Sequence, residues 1–198
     1  MVPLRALVAY LRGEGGAPPS RSVVITVDDD HRSVYTDMLP LLRRNRLPIT
    51  LFVYPSAVSR AAYAMTWEQL LELAATGLVE IQSHTYWHPN FAHEKKRLSR
   101  SDYERLVDDQ LRKSRSTLEA HLRTRVDMLA WPYGIYDDDL IGRAARTGYI
   151  AAVTLERHHA TTGDSIMALP RYLVTDEDTG PRFQALLEGW AAAPRPAR

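Results

Sequence analysis

Two kinds of hydrophobic spacing follow one another along this chain. Short uncharged runs of strand-favouring residues alternate with stretches in which apolar positions return every three or four residues. Leu4, Leu7, Val8 and Leu11 predict an opening amphipathic helix, and the Gly- and Pro-rich stretch 13–20 a loop behind it. Val23-Val24-Ile25-Thr26-Val27 reads as a buried central strand, ending on Asp28-Asp29-Asp30. Val34, Met38, Leu41 and Leu42 mark a second helix ending near Asn45, and 49–53 a second strand stopped by Pro55. Thr66 is an N-cap for a helix over 67–75 with Gly77 as its stop, before a third strand over 79–82. Ser101-Asp102-Tyr103-Glu104 has the form of a capping box, and Tyr103, Leu106, Val107, Leu111, Leu118 and Leu122 stripe the longest helix behind it. A fourth strand over 128–131 stops at Pro132; a helix over 137–147 ends at Gly148, and a fifth strand covers 149–155. The spacing adds a short sixth strand within 167–174, a last helix over 183–190 and a frayed tail after Gly189.

Strands alternating with helices specify an α/β fold with a mostly parallel sheet, because parallel strands need helical crossovers. At 198 residues, a single domain is the expectation. The polar clusters follow the first, third and fourth strands at their C-terminal ends, where parallel α/β folds gather ligands. With 25 Lys and Arg against 24 Asp and Glu, no charge excess points to nucleic acid as a partner. Without cysteine, disulfides, thiolate nucleophiles and Cys-ligated zinc are excluded. No apolar run approaches the ~20 residues of a transmembrane helix. The opening segment, broken by Pro3 and Arg5, does not read as a signal peptide.

Three adjacent carboxylates at the tip of a hydrophobic strand call for a cation, and a divalent metal is the compact one. Asp28 and Asp29 with His84 and His88 form a two-histidine, one-carboxylate set with a carboxylate to spare. Such a set leaves metal coordination positions open, as hydrolysis requires. One acid can then bind metal while its neighbour takes a proton from water. Successive side chains on a regular strand point to opposite faces, so this division requires the backbone to bend at or just after Asp28. The plain alternative is an acidic turn beside loop histidines. His31, His93 and His121 read as surface residues.

Thr26-Val27-Asp28-Asp29-Asp30, then His84 to His88 followed by Pro89-Asn90, then Trp131-Pro132-Tyr133-Gly134, resemble the first three motifs of the polysaccharide deacetylases, the carbohydrate esterase family 4 or NodB-homology group. Ser33-Val34-Tyr35, Leu39-Pro40-Leu41-Leu42 and Thr50-Leu51-Phe52-Val53 are most similar to the poly-N-acetylglucosamine deacetylase branch, over about residues 23–174. The resemblance implies a deformed or incomplete (β/α) barrel and metal-dependent removal of N-acetyl groups from an amino-sugar polysaccharide outside the cytoplasm. It implies Asp28 as general base and Asp29, His84 and His88 as ligands of a divalent metal, zinc first, with iron, nickel or cobalt as alternatives. Trp131, Pro132, Tyr133 and Gly134 would bind substrate, with the Tyr133 N–H at the oxyanion. Trp87 and Trp131 would stack on a sugar or else fill the core.

The sequence departs from the family pattern at Val27, where Phe is usual, at Asp30 for Gly, and at Ala130, where many members carry an arginine that orients the base. There is no Asp-x-x-Asp-Trp motif. In the resembled branch the general-acid histidine lies upstream of the first motif, yet no histidine precedes His31. Either the sequence lacks its opening strand, or His159, or its neighbour His158, near the end of the fifth strand, is the substitute. Two other readings stay open: a carbohydrate-binding pseudoenzyme, and a metal-assisted amidohydrolase of a small cyclic amide.

Overall fold

A computed structural model describes residues 1–188. Five parallel strands, β1 (Ile25–Asp28), β2 (Ile49–Val53), β3 (Val79–Ser83), β4 (Met128–Ala130) and β5 (Ala151–Val153), lie in the order of the chain. They curl into a half-barrel with helices packed outside, an incomplete (β/α) barrel. In-register pairs such as Asp28 with Phe52 and Val53 with Ser83 bring the strand ends to one rim. The outer core runs through Leu51, Val53, Leu70, Leu73, Ile81, Leu111 and Leu129. Burying each of these side chains contributes about 1.5–3 kcal/mol.

β1 is an edge strand, not the central one. It pairs only with β2 and its four residues are half-buried, whereas all five residues of β2 are buried. An apolar run shows that a strand has covered faces but not where it stands in the sheet. Nor does the sixth strand form: residue 169 makes an isolated parallel bridge to Val153, and Leu169 N–H donates to Ala152 O at 2.8 Å. Pro170, which has no N–H, interrupts any longer ladder.

The first helix, α1 (Leu4–Leu11), plugs the inside of the half-barrel. Leu4 and Val8 pack with Phe52, Met128, Ala130, Ala151, Val153 and Leu169. Arg5 donates to Asp127 Oδ1 at 2.8 Å and to Glu80 Oε1 at 2.6 Å, and Gln82 Oε1 accepts from the N–H groups of Asp127 and Met128 at 2.9 Å each.

The segment after β1 winds as a π-helix over Val34–Met38 before α2 (Leu39–Asn45). Its closing bond runs from Leu39 N–H to Val34 O, since the next residue, Pro40, cannot donate. α3 (Trp67–Ala75) starts on the Thr66 capping box with Gln69. α4 (Phe91–Arg97), capped by Asn90, was not anticipated from the spacing, being a seven-residue element with one buried apolar anchor, Phe91. α5 (Arg100–Leu122) is capped by Ser99 and not Ser101, because Asp102 N–H donates to Ser99 Oγ while the Ser99 hydroxyl donates back to Asp102. α6 (Asp138–Thr147) runs from the Asp137 cap to Gly148, and α7 (Pro181–Glu188) follows. The tail expected after Gly189 lies outside the described residues.

Candidate metal centre

The bend that would let two adjacent acids face one site is present. Asp29 takes a left-handed φ of 67° immediately after β1, so its carboxylate turns to the side that Asp28 faces. His84 follows β3, its N–H continuing the ladder to Val53 O at 2.8 Å. Left-handed Thr85 and His88 then fold the chain back, so the two imidazoles meet across a turn with ring centroids 4.5 Å apart. Gln110 of α5 pins this turn: its Oε1 accepts from Tyr86 N–H at 3.1 Å and Trp87 N–H at 2.9 Å.

One ligand atom from each of Asp29, His84 and His88 lies within 4.8 Å of the others. The donor chemistry suits a divalent cation. His84 Nδ1 is 2.8 Å from Ala130 O, a carbonyl that only accepts, so Nδ1 carries the hydrogen. The bare Nε2 therefore faces Asp28 Oδ2 and Asp29 Oδ1, each at 3.8 Å. Asp29 Oδ1 is buried without a hydrogen-bond partner. Burial is the main influence on both imidazoles and outweighs the nearby carboxylates, so their pKa values fall below the ordinary range and the neutral, ligating form is favoured.

Asp28 is gripped differently. Arg171 Nη1 donates to Asp28 Oδ1 at 2.7 Å and Nη2 to Oδ2 at 2.5 Å, while Nη1 also reaches Thr26 Oγ1 at 2.9 Å and Nε reaches Thr154 O at 2.8 Å. Burial pushes the Asp28 carboxyl up, but the hydrogen bonds and the charge of Arg171 prevail and hold it below its ordinary value. The same guanidinium spans the seam between β5 and β1. Asp28 is thus bound by an arginine although position 130 is alanine. Sequence reasoning passed over it; the signal was an isolated cation in the apolar run 167–174.

Asp30 is fully buried, and neither carboxylate oxygen has a hydrogen-bond partner. Burial, reinforced by the Asp29 charge, raises it to about 6; its own N–H and the Tyr54 hydroxyl offset this in part without reaching hydrogen-bond geometry.

A hollow of about 520 Å³ opens beside His88, walled by Tyr54, Arg60, Tyr63, Trp87 and Tyr133. The Tyr54 and Tyr63 hydroxyls are 2.5 Å apart, and His88 is wedged between the rings of His84, Tyr54 and Tyr133. Of the expected wall at 131–134, Tyr133 faces the hollow from a left-handed turn with φ 57°. Trp131 does not: it is wholly buried against Phe91 and donates its indole N–H to Met167 O at 2.9 Å, which corrects its assignment to substrate and places it in the core. Pro132 is buried as well, and Gly134 packs under Leu155. Trp87 is the exposed indole at the site.

His158 pairs with Asp164 at 3.0 Å, and His159 Nδ1 lies 3.0 Å from the Tyr172 hydroxyl. Among the described residues, the hydrogen bonds, ion pairs and ring contacts of these two histidines do not include Asp28, Asp29, His84 or His88.

The chain resembles known proteins over most of its length. Residues 15–152 match the family model described as polysaccharide deacetylase. It is 27% identical over 180 residues to the poly-beta-1,6-N-acetyl-D-glucosamine N-deacetylase of Staphylococcus aureus (strain MRSA252), covering 88% of this chain and 60% of that protein. The enzyme of the same name from Staphylococcus epidermidis is 26% identical, with 89% and 61% covered. The chain thus spans about 60% of the length of these curated relatives. Among solved structures, IcaB from Ammonifex degensii is 27% identical and superposes with a TM-score of 0.82 over 95% of this chain and 82% of that one. The BpsB deacetylase domain from Bordetella bronchiseptica is 25% identical, with a TM-score of 0.78 over 87% and 78%. The Streptococcus pyogenes deacetylase PplD shares the fold at 22% identity, with a TM-score of 0.81 over 93% and 77%. With the family model covering well over half of the sequence and the strand-end residues assembled at one rim, this chain belongs to the polysaccharide deacetylase family.

Proposed function

We propose that the protein is a metal-dependent hydrolase that removes N-acetyl groups from an amino-sugar polysaccharide, with poly-N-acetylglucosamine the first substrate to try, and that it works outside the cytoplasm. The observation carrying this reading is the convergence of Asp29, His84 and His88 beside a second carboxylate, Asp28, that an arginine holds ionised. No helix among the described residues is long and apolar enough to cross a membrane.

In this reading Asp29, His84 and His88 hold the divalent cation, zinc first. When bound, the cation would supply Lewis acidity to an amide carbonyl and to water. Asp28 accepts the proton from the attacking water, and Arg171 keeps its carboxylate ionised and aimed. The Tyr133 N–H donates to the developing oxyanion. Water adds its OH to the acetyl carbon and the amide C–N bond breaks, so the products are acetate and a sugar amine that has gained one proton. That proton is assigned to His159, which sits against Tyr172, the residue following Arg171.

The test is acetate release from N-acetylglucosamine oligomers before chelation, after it, and after zinc is restored. The reading expects activity to vanish and return. It expects His159→Gln to lower kcat by about 10²-fold, the usual scale of general-acid catalysis, with metal content unchanged. Saccharide binding without acetate release would select the carbohydrate-binding pseudoenzyme instead.

A further inference from the structure

Arg60 stands out among the groove residues. It is exposed, lines the same hollow as His88, and its guanidinium has no hydrogen-bond or ion-pair partner among the described residues. Most arginines near this rim are spoken for: Arg171 is bound to Asp28, and Arg32 donates to Ala62 O. The segment holding Arg60 is itself fixed. Ser56 N–H donates to Tyr86 O at 3.0 Å, Arg60 N–H donates to Ala57 O at 2.9 Å, and left-handed Ser59 donates its N–H to Met65 O at 3.0 Å. A cation is therefore held on a braced loop that lines one hollow with the exposed rings of Trp87 and Tyr133 and with His88.

From this placement we infer that Arg60 is a specificity-determining residue: it favours a substrate whose sugar next to the reacting N-acetyl group carries an anionic substituent, and disfavours one whose neighbouring sugar is already a free amine. This deepens the proposed de-N-acetylase reading and rests on it. An ammonium beside Arg60 is repelled and a carboxylate or phosphate is attracted, so the reaction would leave isolated amines and not blocks of them. The aromatic walls supply the sugar contact, and the arginine reads its charge.

The experiment measures binding of short N-acetylglucosamine oligomers to the zinc-loaded Asp28→Asn protein, and acetate release by the zinc-loaded wild type. The oligomers are neutral, or carry one ammonium, carboxylate or phosphate on the adjacent sugar. The carboxylate and phosphate arms distinguish the two sources of negative charge. We expect anionic oligomers to bind about fourfold tighter than neutral ones and the ammonium oligomer about fourfold weaker, as for unit charges ~5 Å apart in water-like surroundings. The spread should shrink as salt is raised. Arg60→Gln should erase the ranking and Arg60→Lys should keep it, each at an unchanged zinc content that reports an intact fold. Equal binding of all four oligomers, no binding of any, or a ranking that survives Arg60→Gln would overturn the inference. If the wild type still released acetate from the neutral oligomer, the de-N-acetylase reading would stand. Absence of acetate from every oligomer would overturn that reading.

Discussion

Arg171 binds both oxygens of Asp28, and the two members of the pair are held by opposite constraints. Burial alone would raise the Asp28 carboxyl; the guanidinium reverses that. Because the folded-state pKa lies below the unfolded one, this group stabilises the fold above the ordinary carboxylate range, and the contribution is lost as pH falls through the depressed value. Arg171→Ala should therefore lower kcat by about 10²-fold through loss of aim, and move the acidic limb of kcat/KM to higher pH; rates measured from pH 4 to 8 check both. Asp30 has the opposite sign. Raised to about 6, it stabilises the fold below the ordinary carboxylate value and loses that contribution as pH rises through about 6. Asp30→Asn should then stabilise the metal-free protein by about 1–3 kcal/mol at pH 8, because the amide has no charge to bury, with the gain fading toward pH 4 in thermal melts. That Asp28, Asp29, His84 and His88 come together was legible in the sequence because they follow the first and third strands at family spacing. Arg171 was not, because its partner is 143 residues away and one arginine in an apolar run carries no spacing signal. Trp131 erred for a related reason: a tryptophan beside a motif has the same letters whether it faces sugar or core.

The turns that follow the strands do the positioning, and their backbone departs from strand geometry at the candidate site. Asp29, Thr85, His88 and Tyr133 are all left-handed without being glycine, which costs about 1–3 kcal/mol apiece and persists only under surrounding restraint. At 132–134 that restraint includes Gly134, at φ 67°, where an added Cβ would lie 2.9 Å from Leu155 N and 3.0 Å from Leu155 Cβ. Gly134→Ala should destabilise the protein by about 2–4 kcal/mol and cut turnover more than zinc content, since it displaces Tyr133; denaturant melts and metal analysis separate the two effects. The helix start at Thr66 was readable from its cap, and β2 from its five uncharged residues. α4 and the π-helical turn were not, since both depend on local hydrogen-bond choices beside Asn90 and Pro40 that periodicity does not encode.

Alternation of strand and helix sufficed for the parallel α/β class, but closure of the half-barrel depends on contacts between distant parts of the chain. α1 fills the inside from below, Pro170 denies a sixth strand, and Arg171 bridges β5 to β1 with a side chain where a backbone ladder would otherwise run. Leu4→Ala should cost about 2–5 kcal/mol in a denaturant melt, because α1 covers the inner faces of β2, β4 and β5 at once. The proposed chemistry depends on Asp29, His84 and His88 forming one cation site. Its most direct test is the zinc content per chain after dialysis, measured for the wild type, His84→Ala and Asp28→Asn. We predict one zinc per chain in the wild type and in Asp28→Asn, and none in His84→Ala; a His84→Ala protein that folds and retains its zinc would contradict the account.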